Sequence, residues 1–312
     1  MKLKSNHEKV AINDINKGNS YRCTFVADIT NSRSGDSSRW ADLTSLLEDT
    51  RSNLNLIFLN SMEKEVVFSG GDSIQGVFKK PIYAFMYGRL LQKIFYPERV
   101  KIGIGIGEVF SYFENKNSNY STGNAFIRAQ QALNRAKSND IDMQINSNGQ
   151  DVEIVNIMLE MITSIRSGQT EYQRELDLMT EILFPLIALR MALPSFNLID
   201  IVKRKNELLT FKIDSSNITN ETKIDTFIKN LEDDLSNYIK PIHISQTQSS
   251  SLMQFIEHAN VYGIQSDIAL LTHSTKQNIS KMFNKARIEQ LRKYDLTIIK
   301  LLEDNFSDHY IL

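Results

Sequence analysis

The first half of the chain alternates short apolar runs with longer amphipathic ones. Strands are predicted for five runs rich in β-branched and aromatic residues, namely residues 21–29, 66–69, 73–78, 99–110 and 141–146. Helices are predicted where apolar residues recur at helical spacing, namely residues 36–58, 81–96 and 122–137. The predicted order is therefore strand, helix, strand, strand, helix, strand, helix, strand.

The second and third strands are separated only by Gly70, Gly71 and Asp72, a short connection that is typical of a β-hairpin. A hairpin at the centre of this order favours an antiparallel sheet over a doubly wound parallel one. The fold class predicted for this half is therefore α+β, with a palm or ferredoxin-like, mostly antiparallel sheet layered by helices.

The second half of the chain has helical patterns. Helices are predicted over two stretches between residues 151 and 193, and then over residues 195–209 and 221–238. Polar segments at residues 146–150 and 241–251 mark two boundaries. We therefore predict three parts: a palm-like α+β domain over residues 1–148, a helical middle region over 149–245 and a helix-turn-helix domain over 246–312.

Glycine occupies every second position in part of the fourth predicted strand. Gly103, Gly105 and Gly107 all face the same side, because side chains alternate along a strand. A strand face without side chains permits close approach by a packed helix or by a ligand. Of these two, we favour a packed helix.

The composition adds few constraints on function. The 312 residues carry a formal net charge of −1, so any nucleic-acid surface must be local. Cys23 is the only cysteine, which excludes an internal disulfide and favours a reducing compartment. The five histidines lack metal-ligand spacing, which argues against a zinc site. Because the start lacks a signal-peptide pattern and no apolar run could span a bilayer, we expect a cytoplasmic protein without a membrane partner.

Two carboxylates are predicted to meet at one end of the sheet. Asp28 lies near the end of the first strand, where a buried acid is costly unless it is paired or holds a cation. Asp72 lies in the hairpin turn, so the two acids lie side by side if these strands are neighbours. Two hard oxygen ligands beside glycines suit Mg²⁺ (or Mn²⁺) carrying a nucleoside triphosphate. The alternative is an ordinary turn with a solvated carboxylate.

The last 60 residues predict a DNA-binding element. A short helix over residues 265–271, a polar turn over 272–274 and a longer helix from 275 to about 292 form a helix-turn-helix pattern. Residues 273–293 carry six Lys or Arg against one Glu, a local charge of +5. The predicted DNA contacts, from outward-facing positions of the later helix, are Lys276, Gln277, Ser280, Lys281, Asn284 and Lys285. The alternative is a solvated charged face on an ordinary helical bundle.

With these motifs, the chain resembles the SatD family of bacterial proteins, which combine a cyclase-like palm region with a C-terminal helix-turn-helix. The segments that carry the resemblance are residues 26–33 (VADITNSR), 71–76 (GDSIQG), 103–108 (GIGIGE), 123–129 (GNAFIRA) and 277–281 (QNISK). The resemblance covers the first 140 residues and the last 50, and it implies an architecture rather than an activity.

A wider resemblance is to class III nucleotide cyclases and to the palm domains of GGDEF-type cyclases. It implies that Asp28 and Asp72 hold the metal ions and that Asn124 and Arg128 lie beside the phosphates, with Arg128 catalytic. Candidate nucleotide-binding residues also include the polar loop after the first strand and the hairpin glycines, namely Asn31, Ser32, Arg33, Gly70 and Gly71. One departure is that Ser73 replaces the acid that follows the corresponding Asp in those families.

Three functions remain open from the sequence. The first is a DNA-binding regulator with a nucleotide- and metal-binding palm-like domain, which we favour because the DNA-reading pattern does not depend on an intact metal site. The second is an active Mg-dependent nucleotidyl cyclase or nucleotidyltransferase that releases pyrophosphate. The third is a structural interaction module. Palm domains and helix-turn-helix proteins commonly work as pairs, so a homodimer is expected.

Overall fold

The first half of the chain forms the strands and helices that its pattern predicts. The computed structural model describes residues 20–30, 37–111, 117–148, 152–210, 222–232, 235–244, 252, 256–257 and 263–306. The elements of this half are β1 (Ser20–Ile29), α1 (Ser37–Phe58), β2 (Met62–Gly70), β3 (Ser73–Phe78), α2 (Pro81–Phe95), β4 (Val100–Ser111), β5 (Ser121–Thr122), α3 (Asn124–Ser138) and β6 (Met143–Asn146).

The sheet has the strand order β2-β3-β1-β4, continued at β4 by β5 and β6. The pairs β2–β3, β3–β1 and β1–β4 are antiparallel, whereas β6 runs parallel to β4. The protein is therefore α+β with a mostly antiparallel sheet, which confirms that part of the predicted fold class.

Helix α2 is the centre of the hydrophobic core. All of its residues are buried, because it lies between one face of the sheet and a layer of helices. That sheet face carries alternate residues of β1, including Cys23 and Phe25, whose side chains join the core. Cys23 is fully buried in this core, and burial raises the pKa of its thiol.

Helix α3 covers the other face of the sheet, directly over the glycines of β4. A Cβ atom built on Gly103 would lie 2.2 Å from the carbonyl oxygen of Ala129, and one on Gly105 would lie 2.0 Å from that of Ala125. Real Cβ atoms do not approach backbone this closely, so only glycine permits this helix-to-strand distance. The prediction that the glycine face packs against a helix is confirmed.

The outer edge of β6 is covered by the next helix, α4 (Glu153–Ser167). The Asn156 side chain accepts a hydrogen bond from the backbone N–H of Ile145 (2.8 Å) and donates one to its carbonyl oxygen (2.9 Å). One side chain thus satisfies both backbone groups of an edge residue, which protects the edge from pairing with another strand.

The second half of the chain is mainly helical. Its further elements are α5 (Glu171–Leu183), β7 (Leu186–Ile187), α6 (Ser195–Thr210), α7 (Lys223–Glu232), α8 (Leu235–Tyr238), β8 (Ile242–His243), α9 (Ile264–Leu271), α10 (Lys276–Ala286) and α11 (Ile288–Phe306). Strands β7 and β8 pair in parallel. Apolar spacing in the sequence also predicts a helix over residues 252–261, and most of that segment lies outside the described residues.

The prediction of one helix from residue 275 to about 292 is wrong. Arg287 adopts a left-handed conformation (φ +56°), and its backbone N–H hydrogen-bonds to carbonyl oxygens at the end of α10. This left-handed residue ends α10, and α11 begins in a new direction at the fully buried Ile288. The apolar spacing continues through the break, which is why the pattern alone predicts one helix.

All three predicted parts of the chain contribute to one hydrophobic cluster. It includes Phe25 and Leu91 from the first, Leu176 and Phe227 from the second, and Ile299 from the third. Helix α11 packs against both α2 and α4, so the C-terminal region contacts the sheet-bearing half. None of the helices in the described ranges combines the length and hydropathy needed to cross a bilayer.

We predict that Gly105→Ala lowers the free energy of unfolding by about 3 kcal/mol or more, because the new methyl group would meet the backbone of α3. Urea unfolding followed by circular dichroism measures the change. Gly168→Ala is the matched control, since Gly168 has φ −89° and a Cβ built there would lie 3.8 Å from its nearest neighbour, the carbonyl oxygen of Ile165. An equally stable Gly105→Ala protein would contradict the packing of α3 on β4.

Candidate functional sites

The sheet end formed by β1 and β3 carries both predicted acids. Asp28 is paired with Ser73 in the antiparallel register, and Asp72 immediately precedes Ser73. Gly70 also pairs with Ser73, which leaves Gly71 and Asp72 as a two-residue turn with φ +58° at Gly71. The structure therefore brings Asp28 and Asp72 to the same sheet end, beside Gly70 and Gly71.

Asp28 already has a cationic neighbour in the chain. The Lys137 ammonium, in the last turn of α3, forms an ion pair with the Asp28 carboxylate. Lys101 is the cross-strand partner of Asp28 on β4, and its side chain is nearly fully buried. This sheet end thus combines two carboxylates with two lysines, a charge pattern compatible with a bound phosphate as well as with a cation.

A second ion cluster continues from Lys101 along the same edge. The Lys101 ammonium lies 2.8 Å from Asp140, and the Arg99 guanidinium hydrogen-bonds to both Asp140 and Asp142. Hydrogen bonds from Arg99 and Lys101 hold the pKa of the Asp140 carboxyl at about 2. Beside this cluster lies an open, polar cleft of about 460 Å³ between the sheet edge and α4, bordered by Arg99, Asn139, Asp140, Glu160, Ser164 and Ser167.

Asn124 and Arg128 lie at the opposite end of the sheet. The Asn124 side chain accepts a hydrogen bond from the backbone N–H of Glu108 (2.7 Å), and Arg128 donates to the carbonyl oxygen of Ile106 (2.6 Å). Ile106 is five residues along β4 from Lys101, which is about 17 Å in a strand. The structure therefore does not bring Arg128 and Asn124 to Asp28 and Asp72 within one chain.

The loop predicted to bind nucleotide, with Asn31, Ser32 and Arg33, lies outside the described residues. Within the described part of the chain, no group of three or more His, Cys, Asp or Glu side chains is arranged to hold a metal ion. Asp28 and Asp72 would supply only two ligands for Mg²⁺ or Mn²⁺, so phosphate oxygens and water would have to complete the coordination.

Helices α9 and α10 form the second candidate site. They are in contact and are joined by four residues, of which Thr275 caps α10 by accepting a hydrogen bond from the backbone N–H of Asn278. Ile279, Phe283 and Ala286 bury one face of α10 against the core. The opposite face is exposed and carries the predicted DNA contacts Lys276, Gln277, Lys281, Asn284 and Lys285, with Ser280 half-buried at its border.

The basic surface is smaller than the sequence predicts. Arg292 is buried, donates a hydrogen bond to the carbonyl oxygen of Phe184 and lies 3.5 Å from Glu181, so it takes no part in the exposed surface. Lys293 forms an ion pair with Glu289. The prediction of a local charge of +5 is therefore wrong for the surface, because it counts the buried Arg292. The exposed cations on and next to α10 are Lys276, Lys281, Lys285 and Arg287.

Comparison with protein-family models, with curated proteins and with solved structures gives no match to this chain.

We predict that Asp140→Asn lowers the Tm by about 1–3 °C at pH 7, because the exposed Asp140 carboxylate loses its pairs with Arg99 and Lys101. The pKa of Asp140 is lower in the folded chain (about 2) than its ordinary value of 3.8. The ionised Asp140 carboxylate therefore stabilises the folded chain above about pH 4, and this stabilisation is lost as the pH falls towards 2. Asparagine also tolerates the left-handed φ of +53° at this position.

Thermal unfolding of both proteins from pH 7 down to pH 3 measures this difference. Asp304→Asn, which breaks an exposed pair with Lys300 within one helix, is the control and should shift the Tm by less than about 1 °C. A Tm difference between wild type and Asp140→Asn that grows as the pH falls would contradict a stabilising role for the ionised Asp140 carboxylate.

Proposed function

We propose that this chain is a DNA-binding regulatory protein of the SatD type, with a palm-like domain that binds a nucleotide together with Mg²⁺ or Mn²⁺. The observation that carries the proposal is the exposed face of α10. Lys276, Lys281 and Lys285 lie on this face with Gln277 and Asn284, while the other face packs into the core.

These side chains are available to a partner. Within the described part of the chain, none of the side chains of Lys276, Gln277, Lys281, Asn284 and Lys285 forms a hydrogen bond or an ion pair. Lysines at such positions would contact phosphates, and the amides of Gln277 and Asn284 suit base edges in the major groove. Helices α9 and α10 with their short turn would then act as the helix-turn-helix, with α10 as the recognition helix.

The strand order supports the palm-like part of the proposal. The series β1-α1-β2-β3-α2-β4, with the order β2-β3-β1-β4 and antiparallel neighbours, is what a ferredoxin-like sheet would have. A homodimer would suit both sites, because two recognition helices bind adjacent half-sites. It would also offer a route for Asn124 and Arg128 of one chain to approach phosphates held by the other chain.

We predict that the protein binds a labelled random-sequence DNA duplex of 30 base pairs. Lys281→Ala should weaken this binding about three- to tenfold at 100 mM salt. The loss of one phosphate contact should also lower the slope of log affinity against log salt by about 1 per protomer. Fluorescence anisotropy over a salt series measures both quantities.

Arg135→Ala is the matched control for DNA binding. It removes one exposed cation from α3, which lies on the opposite face of the sheet from α2. Its affinity and salt slope should equal those of the wild type. Absence of DNA binding at low salt, or equal effects of the Lys281 and Arg135 substitutions, would overturn the DNA-binding proposal.

The second candidate function is an active nucleotidyl cyclase or nucleotidyltransferase. The observation that favours it is the placement of Asp28 and Asp72 at one sheet end. These carboxylates would hold the metal ion, which when bound offsets negative charge on the triphosphate. A substrate 3′-hydroxyl would give up its proton to water and attack the α-phosphorus, and the bond to the bridging oxygen would break so that pyrophosphate leaves. The cationic partners of the phosphate oxygens would be Arg33, or Arg128 supplied by the second chain of a homodimer.

We predict that Asp28→Asn and Asp72→Asn each weaken Mn²⁺-dependent nucleotide binding by about tenfold or more, because each removes one of two carboxylate ligands. Lys137→Met should instead strengthen Mn²⁺ binding, since it removes the cation that pairs with Asp28. Binding of labelled nucleoside triphosphates and release of pyrophosphate are measured for all four proteins.

Each outcome of this experiment selects one function. Pyrophosphate release that is lost in Asp72→Asn would establish a synthase, whereas nucleotide binding without turnover would support a nucleotide-responsive regulator. Failure of both nucleotide and DNA binding would leave only the structural interaction module.

A further inference from the structure

Four large apolar residues form an exposed row beside the end of α1 and the start of α6. They are Leu56, Leu59, Leu189 and Phe196, and each is more than half exposed. Neither candidate site includes any of them. Single exposed apolar residues are common, but a contiguous group of large ones marks a contact surface.

Hydrogen bonds between the two segments show that the row is contiguous. The backbone N–H of Ala192 donates to the carbonyl oxygen of Ile57 (2.9 Å). Five residues later, the Asn197 side chain donates to the side chain of Asn53 (3.0 Å). The chain that leads into α6 therefore runs antiparallel to the end of α1, and the exposed faces of the two segments adjoin.

A charged residue stands at each end of the row. Arg190 lies beside Ser61, whose hydroxyl donates a hydrogen bond to the Arg190 carbonyl oxygen (3.0 Å). Asp200 lies one helical turn after Phe196, on the same face of α6. Both charged residues are exposed, and within the described ranges neither side chain forms a hydrogen bond or an ion pair.

We propose that a second copy of this chain binds to this row, with the two rows antiparallel about a twofold axis. In such a contact each surface meets itself, so the Arg190 end of one row faces the Asp200 end of the other. The apolar side chains are then covered at the centre, and an Arg190–Asp200 pair forms at each border. This interface supplies the homodimer on which the proposed function rests, but it shares no residue with the DNA or nucleotide site.

A second exposed apolar row, on α4, does not suit a second copy. It comprises Ile154, Ile157 and Met161, which are spaced along one helix face. The exposed charged residues of α4 are Glu153 and Glu160. A twofold contact there would bring carboxylates together without a cation, and like charges oppose association.

The test measures self-association of the full chain by sedimentation equilibrium, without DNA or nucleotide. The wild type should form dimers with a Kd of about 10 μM or tighter. Leu56→Lys should weaken dimerisation about 100-fold, because each dimer would bury two unpaired ammonium groups. Ile154→Lys makes the same kind of change at an equally exposed position on α4, and this matched control should dimerise like the wild type.

A charge exchange tests the twofold arrangement itself. Arg190→Asp and Asp200→Arg should each weaken dimerisation about tenfold, because each replaces two attractive pairs with two repulsive ones. The double variant should recover the wild-type Kd. Aspartate tolerates the left-handed φ of +73° at position 190, so the exchange is compatible with the fold.

A monomeric wild type, equal effects of the Leu56 and Ile154 substitutions, or no recovery in the double charge variant would overturn the interface. A monomeric chain that still binds DNA through α10 would overturn the interface and leave the DNA-binding proposal intact. The two proposals therefore fail separately.

Discussion

The charge of Arg89, in the middle of the fully buried helix α2, is the constraint on which the tertiary structure depends. A guanidinium cannot be buried alone, so α5 must supply Glu181 and α11 must supply Asp295. These two helices come from the middle and the end of the chain. The ion pairs of Arg89 therefore fix the position of the helical layer against the sheet. Charge-assisted hydrogen bonds require a defined direction and distance, which apolar contacts alone do not impose.

This arrangement connects the two candidate sites physically. Helix α2 packs on β1, whose end carries Asp28, while α11 follows α10 after the single residue Arg287. The Gln169 side chain also donates a hydrogen bond to the carbonyl oxygen of Ala286, at the end of α10. A shift of α10 must therefore move α11 or break buried ion pairs. If a nucleotide at the sheet end changes DNA affinity, this is the contiguous path by which the two sites influence each other.

Much of the local structure was predictable because it follows from short-range chemistry. Pro81 starts α2, Gly71 and Asp72 make the hairpin turn, and the alternating glycines of β4 indicate the close approach of a helix. The positions of Asn124 and Arg128 were not predictable in the same way. Their four-residue spacing fits one helix face. Only the register of β4 against β1 shows that Ile106, which Arg128 contacts, lies about 17 Å along the strand from Lys101, the cross-strand partner of Asp28.

The sequence by itself determined the order of elements, the α+β class and the exposed polar face of α10, because hydrophobic periodicity and turn residues act over a few positions. Only the tertiary structure decided which charged residues are buried. Arg292 and Lys293 are neighbours in a basic segment, yet one joins the interior ion cluster and the other pairs with Glu289 at the surface. That choice depends on Glu181, which is more than 100 residues away, and on the direction that α11 takes after Arg287. Charge patterns along a chain do not contain this information, because partners for buried ions are selected by packing between distant helices.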